Sequence, residues 1–265
     1  MLDISIIILT KNEEEMIEGC LKNISDAKEI IIIDAMSTDK TIEICQKYTN
    51  KIYSIPWQGY TYARNKGLEF ATCKWICFFD ADERMSKKLK EKIKEIISLP
   101  SSAFIYRIVI EEIILGKNVK WGGWKTSVKR LAQKEKVFYN KDQKIHEELL
   151  VIGDNQNVGQ IKEPIYHLSH RSISRLVQKI NKYSELEAEE MMSKKIKINT
   201  FILMKVFIKE FYRRFIILRG FRDGIIGLIG SMCLAFYAFL NYAKLWELSH
   251  SEIKKIYKNW DETEN

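Results

Sequence analysis

Three carboxylates, Asp80, Asp82 and Glu83, follow directly on the apolar run Trp75-Ile76-Cys77-Phe78-Phe79. A short, continuous run rich in aromatics predicts a strand buried on both faces of a mostly parallel sheet. Its acids then stand at the strand's carboxyl end, the rim where open α/β sheets bind ligands. Carboxylates at such a rim suit a divalent cation that holds an anionic substrate. The same acids have a plainer use as caps for the next predicted helix, "SKKLKEKIKEII".

Two earlier turns lead to the same rim. After the run Ile30 to Ile33 comes "DAMSTDKT", with Asp34 at the strand end and Ser37, Thr38 and Asp39 as natural helix caps. Asp34 precedes those caps, and its carboxylate is placed to accept the ring N–H of a uracil. After the first apolar run, "TKNEE" offers Asn12 and Glu13, with Asn12 also able to act as a helix cap.

The elements that position these residues follow from periodicity. Ile4 to Thr10 reads as a strand, and "NEEEMIEGCLKNI" as a helix with apolar residues at Met16, Ile17, Leu21 and Ile24. Strand Ile30 to Ile33 is followed by a second helix. "KIYSIP" is a third strand, "GYTYARNKGLEFA" a third helix and "WICFFD" a fourth strand. Strands alternating with helices over residues 1–98 predict a doubly wound parallel sheet. Beyond Pro100 the pattern changes to mixed strands in "AFIYRIVIEEIILG" and "KTSVKRLA", with "KWGGWK" as a loop between them. "SISRLVQKINKYSELEAEEMMSKK" is a charged amphipathic helix. Residues 224–243 then carry no charge, which meets the length of a membrane span, but Gly224, Gly227, Gly230, Ser231 and Asn241 dilute the segment. A span, an in-plane membrane helix and a helix packed on protein all fit this stretch. The expected division is 1–170, with halves 1–98 and 99–170, followed by a helical region 171–265.

Composition narrows the class. The 265 residues hold 43 Lys and Arg against 35 Asp and Glu, a net charge of +8. One large α/β domain with an appendage is well within this length. The bases spread along helices and the C-terminal third, a distribution suited to anionic lipid or an anionic substrate. Zinc-finger spacing, aromatic RNP-like strands and a compact basic stripe are lacking, so no nucleic-acid partner is expected. The five cysteines form no CxxC pair and read as buried thiols of a reducing cytosol. The opening "MLDISIIILTKNEEE" lacks a basic leader and reads as the first strand.

In this order, "IIILTKNEE", "IIIIDAMSTDKT", "GYTYARNKGLEFA" and "WICFFDADE" resemble the nucleotide-binding half of inverting family 2 glycosyltransferases of GT-A fold. The chain looks most like the lipopolysaccharide or lipooligosaccharide core glucosyltransferases. That likeness continues through "LGKNVKWGGW", "KIHEEL", "PIYHLSHRS", "KINKYSELEAEEM" and "NYAKLWEL". The implied fold is a Rossmann-like, mostly parallel sheet with a mixed second half and a C-terminal helical region.

The resemblance also implies roles. Asp82 would bind the Mg²⁺ or Mn²⁺ that bridges a UDP diphosphate, and His167 would complete that site, with His170 as its neighbour and alternative. Asp80 would lie near the ribose or a metal-bound water, Asp34 and Glu13 would read uracil and ribose, and Arg64 would orient the rim acids or touch the nucleotide. Glu147 of the His-Glu pair in "QKIHEELLV" would be the base, with Glu148 and Asp142 as fallbacks. Adjacent glutamates at an element's edge are ordinarily just solvated, and a histidine after a Pro-led strand is ordinarily packed or exposed. Two departures stand out: "LTKNE" lacks the commoner proline, and "KTSVKRLAQKEKV" is lysine-rich where arginine and aromatics are expected. The second puts the acceptor in question and leaves the donor half untouched.

The expectation is a metal-dependent inverting enzyme that moves a hexose, glucose in the first instance, from a UDP-sugar to a lipid-linked glycan such as the lipopolysaccharide inner core. It would work from the cytosolic membrane face, with the C-terminal helices on the membrane or in an oligomer. A nucleotidyltransferase would want a glycine-rich phosphate loop after the first strand, and "TKNEEEM" has no glycine. A catalytically inactive sugar-nucleotide-binding protein is the other alternative, against which the intact acids speak.

Overall fold

The computed structural model of the chain describes residues 1–99, 103–140, 148–153, 157–250 and 252. Contacts divide it into two compact units, Met1–Glu112 with Lys125–Ser169, and Ile113–Trp124 with His170–Asn265.

The first unit begins with the expected alternation: β1 (Leu2–Thr10), α1 (Ile17–Asn23), β2 (Ala27–Asp34), α2 (Thr41–Cys45), β3 (Ile52–Ser54), α3 (Tyr60–Phe70) and β4 (Trp75–Asp80). β5 (Glu83–Met85), α4 (Lys87–Ser98), β6 (Ile105–Ile114), β8 (Thr126–Gln133), β9 (Val137–Tyr139), β10 (Leu149–Val151) and β11 (Val158–His170) follow, with the short β7 (Lys117–Asn118) after β6. The main sheet has the order β3-β2-β1-β4-β8-β6-β11-β5. β1 to β4 pair in parallel, whereas β8 pairs antiparallel with β4 and β6, and β5 with β11. The sheet therefore has the parallel first half that the strand–helix alternation predicted and the mixed second half that the change of pattern after Pro100 predicted.

Both faces of the parallel strands are buried, which is why they read as unbroken apolar runs. Ile4, Ile6, Ile8, Trp75, Cys77 and Phe79 pack on one side with Ile17 and Leu21 of α1 and Leu89 and Ile93 of α4. Ile7, Ile31, Ile33, Ile76 and Phe78 pack on the other with Ala63 and Leu68 of α3. Each such side chain stabilises the fold by about 1.5–3 kcal/mol relative to exposure. Register then fixes the rim: Thr10 pairs with Asp34, and Leu9 with Asp80, so the carboxyl ends of β1, β2 and β4 finish together.

Two sequence expectations change. α1 begins at Ile17 and not at the acidic segment, since Glu13 turns the chain by accepting from the Met16 and Ile17 N–H groups. α4 is capped by Ser86, whose hydroxyl accepts from the Leu89 N–H at 3.2 Å, so the strand-end acids are not its caps.

The second unit holds α5 (Ile173–Ser193), α6 (Thr200–Tyr212), a π-helical turn Arg213–Ile217, a 3-10 turn Gly220–Asp223 and α7 (Ile225–Ser249). Segment 113–124, placed in the acceptor half on sequence grounds, groups here. Buried Asp223 accepts from the backbone N–H groups of Lys120 and Trp121 at 3.1 and 2.8 Å, and the Gly122 N–H bonds Leu218 O at 2.8 Å. The glycines that dilute the uncharged stretch permit close packing: a Cβ on Gly227 would lie 1.9 Å from Gly220 O.

Candidate active site

The loops after β1 and β2 are laced together by their own polar residues. Asn12 donates its N–H to Ser37 Oγ at 2.9 Å and accepts the Thr38 N–H at 2.8 Å. The N–H groups of Glu13 and Glu14 go to Thr41 Oγ1 and Asp39 Oδ2 at 2.8 and 3.1 Å, and the Lys40 N–H returns to Glu14 Oε2 at 3.0 Å. Asn12 sits at φ +53°, a left-handed conformation that asparagine tolerates. It caps the neighbouring loop and not its own helix. Asp34, only 1% exposed, accepts the Ser37 N–H at 2.9 Å on Oδ2 and its hydroxyl at 2.5 Å on Oδ1. Ser54 Oγ also donates to Oδ2, at 3.4 Å.

Motif "ARNKG" works residue by residue. Ala63 enters the core, and Asn65 clasps Tyr139 by donating to its carbonyl at 3.0 Å and accepting its N–H at 3.1 Å. A Cβ on Gly67 would come within 2.3 Å of Ile7, so only glycine lets α3 lie this close to β1. Arg64 lies against the Phe78 and Tyr139 rings, 5.4 and 5.7 Å from their centroids, with Nη2 3.8 Å from Asp80 Oδ1. Arg64 thus stands within ion-pair distance of a rim acid.

A second arginine, absent from the expected site, dominates this cluster. Arg130 of β8, with a side chain 7% exposed, donates from Nη2 to Asp80 Oδ2 at 2.8 Å and to Glu83 Oε1 at 2.7 Å. Glu83 in turn accepts the Asp80 N–H at 2.9 Å. Burial opposes ionisation of Asp80, but Arg130 and Arg64 outweigh it and hold its carboxyl well below the usual carboxylate range. Burial, together with the Asp80 charge, pushes Glu83 upward. Arg130 lies in the lysine-rich segment, and β8 pairs with β4 and brings its guanidinium to the tip of the acid strand.

Asp82 and His167 meet across the next turn. β5 pairs with β11 in a register that sets Glu83 opposite His167, and the Leu168 N–H bonds Asp82 O at 2.9 Å. His167 Nε2 lies 3.3 Å from Asp82 Oδ2, and Nδ1 lies 2.9 Å from Glu112 Oε1. Ser169 Oγ donates to the other Glu112 oxygen at 2.8 Å. Burial disfavours a charged His167, yet the two carboxylates prevail and push it up to about 10. His170, three positions along the same strand, points the other way and packs edge-on against Trp124.

This pair fits a divalent cation. Neighbouring ligands of an octahedral ion with bonds near 2.1 Å stand roughly 3 Å apart, and Oδ2 and Nε2 have that separation. Glu112 does what a carboxylate behind a metal-binding histidine does, fixing tautomer and ring orientation. Among the described residues no three His, Cys, Asp or Glu side chains converge on one point. Two protein donors leave positions open for water and phosphate, the usual mode of Mg²⁺.

Glu147, the expected base, lies outside the described residues, as do Asp142 and His146. Glu148 is described: its Oε1 takes Arg107 at 2.7 Å and Lys129 at 2.9 Å, and Lys129 above all lowers its pKa.

Fold and rim define an α/β protein that gathers acids and arginines at the carboxyl edge of a parallel sheet. The family description "Glycosyl transferase family 2" matches residues 5–142. A Rickettsia conorii protein described as an uncharacterized glycosyltransferase is 30% identical over 99% of this chain and 96% of its own. The lipopolysaccharide core biosynthesis glycosyltransferase LpsC of Rhizobium meliloti is 28% identical over 93% of each chain. Among solved structures, S. aureus TarS 1–349 in complex with UDP-GlcNAc is 15% identical, with 89% of this chain and 81% of that one covered and a TM-score of 0.42. The chain belongs to the family 2 glycosyl transferases and is a glycosyltransferase.

Proposed function

We propose that the enzyme is a metal-dependent inverting hexosyltransferase that uses a UDP-sugar, with UDP-glucose the expected donor. Its acceptor is a lipid-linked glycan of the lipopolysaccharide or lipooligosaccharide inner-core type, met at the cytosolic face of the membrane. The observation that carries the reading is the Asp82–His167 pair, backed by Glu112 and set beside the Asp80–Arg130–Glu83 cluster. The likeness to LpsC along nearly the whole chain supports the acceptor class.

In this reading Asp82 Oδ2 and His167 Nε2 would hold Mg²⁺ or Mn²⁺, which when bound would neutralise charge that develops on the departing diphosphate. Asp34 and Glu13 recognise uracil and ribose, and Asn12 keeps their two loops in register. Asp80, fixed by Arg64 and Arg130, faces the ribose or a metal-bound water. Glu147 accepts the proton of the acceptor hydroxyl as that oxygen attacks the sugar C1 from the side opposite UDP. The C1–O bond to UDP breaks as the new bond forms, which inverts the anomeric centre.

The test is UDP release by purified protein from a panel of nucleotide sugars, with and without EDTA, in the presence of truncated lipopolysaccharide acceptors. Acceptor-dependent release from UDP-glucose that EDTA abolishes is expected. Turnover undiminished by EDTA would remove the metal, and transfer only from a non-uridine donor would remove the uracil assignment.

A further inference from the structure

α6 and α7 pack together, yet each leaves an apolar row uncovered. On α6 the exposed residues Phe201, Met204, Ile208 and Tyr212 fall at spacings of three, four and four; on α7 Ile225, Leu228, Met232 and Phe236 repeat the same spacing. The opposite face of α7 is the packed one, through Gly227, Gly230, Ser231 and Ala235. The turn between the helices is open as well, with Ile217 62% and Phe221 48% exposed, leading to Ile225 at 68%.

Cations accompany these rows. Lys205, Lys209 and Arg213 are exposed at intervals of four along α6, next to Met204, Ile208 and Tyr212. Arg219 and Arg222 are exposed in the turn, their guanidinium carbons 5.9 and 4.7 Å from the Trp121 ring centroid. The neighbouring acids are occupied: Glu210 by Arg213 and Arg214, Asp223 by backbone N–H groups. Arg213 is itself paired with Glu210, which leaves Lys205, Lys209, Arg219 and Arg222 as the cations beside the rows; apolar rows bordered by exposed lysine and arginine are the signature of a helix lying in an anionic lipid interface.

Two other occupants fit less well. In a symmetric dimer the same patch forms both sides of the interface, which would gather two copies of Arg219 and Arg222 while the neighbouring Glu210 and Asp223 are already occupied. A transmembrane span is opposed by α5, which lies along α7: Lys244 bonds the Asn181 carbonyl at 2.6 Å and Glu185 at 3.1 Å, and mid-helix Tyr237 hydrogen-bonds Glu187. α7 has the length of a span, 25 residues, and an 18-residue window of mean hydropathy 1.7. Crossing a bilayer would carry those α5 charges into the hydrocarbon.

We infer that the α6–turn–α7 face is a monotopic membrane-docking surface for anionic lipid, with Ile217, Phe221 and Ile225 inserted among the acyl chains and Arg219 and Arg222 at the phosphates. The inference rests on the membrane-bound acceptor proposed above only for its purpose, and its test uses no substrate.

The full chain is to be floated with vesicles of phosphatidylcholine alone or with a third phosphatidylglycerol, at low and high salt. Binding to the anionic vesicles should exceed binding to neutral ones by about tenfold or more at low salt and fall as salt rises. Ile217→Asp/Ile225→Asp should lose that binding at unchanged thermal stability, since neither side chain is buried. Arg219→Gln/Arg222→Gln should bind both vesicle types equally weakly. Retained binding by the first variant, equal wild-type binding to both lipids, insertion that resists alkaline carbonate, or a soluble dimer broken by the first variant would each overturn the assignment.

Discussion

Arg130 donates one amino group to both Asp80 and Glu83, at 2.8 and 2.7 Å, so a strand of the mixed half fixes the first acid of the parallel half's terminal motif. Removal of this guanidinium strands carboxylates that are largely out of water. Arg130→Met is expected to cost about 3 kcal/mol in urea denaturation, at the lower end for a broken buried pair because Glu83 can take a proton. Adding Glu83→Gln should recover part of that loss. Equal stability of Arg130→Met and wild type would show that the cluster is not stabilising.

Asp82→Asn should leave the melting temperature within a few degrees of wild type, whereas His167→Ala, which removes the partner shared by Asp82 and Glu112, should melt lower. In calorimetry both should lose the Mg²⁺- or Mn²⁺-dependent part of UDP binding. Glu112→Gln should weaken metal-dependent binding by about 10- to 100-fold, the usual effect of disturbing the partner behind a ligating histidine. Undiminished binding in Asp82→Asn would dismiss the proposed ion site.

How much of this was legible beforehand depends on whether local pattern or long-range pairing places a residue. β1, β2 and β4 were readable because Ile6 to Leu9, Ile30 to Ile33 and Trp75 to Phe79 are unbroken apolar runs buried almost throughout. Asp34, Asp80 and Asp82 were readable as strand-end acids. Arg130 was not, because its partners lie some fifty residues away and depend on β8 pairing with β4. Glu112 left a faint signal: in "IVIEEIIL" two adjacent acids point to opposite faces of a strand, so one faces inward. The separation of His167 from His170 likewise needed the strand itself, because only strand alternation puts them on opposite faces.

A group remote from the rim sets acid stability. Glu29 is nearly buried and accepts from Ser5, Lys51 and Thr72. Burial opposes its ionisation, but Lys51, Ser5 and Thr72 prevail and lower its pKa from 4.5 to about 2. A depressed carboxylate pKa contributes stability above the unfolded value, and that contribution fades as pH falls from about 4.5 through about 2. The full contribution is up to about 3 kcal/mol, reduced by solvent screening at half-exposed Lys51. Glu29→Gln should therefore melt lower than wild type at pH 7, with the gap closing toward pH 2. A gap that is constant with pH would show that packing, and not charge, is responsible.

The base is the last assignment to test, and the neighbour of Glu147 sharpens it. Glu148 is held by Arg107 and Lys129, and a carboxylate stabilised in this way is a weaker proton acceptor. Glu147→Gln keeps size and hydrogen bonding but cannot take the acceptor proton, so transfer should fall by about 10²- to 10⁴-fold while UDP-sugar binding is retained. Glu148→Gln should keep most of its turnover and lose some stability. The pair of variants is best compared by single-turnover transfer and by donor affinity measured without acceptor. If Glu148→Gln is inactive and Glu147→Gln is not, the ion pair with Arg107 and Lys129 must open during the reaction and the base is Glu148. If both remain active, the base lies elsewhere and the His-Glu pair is structural.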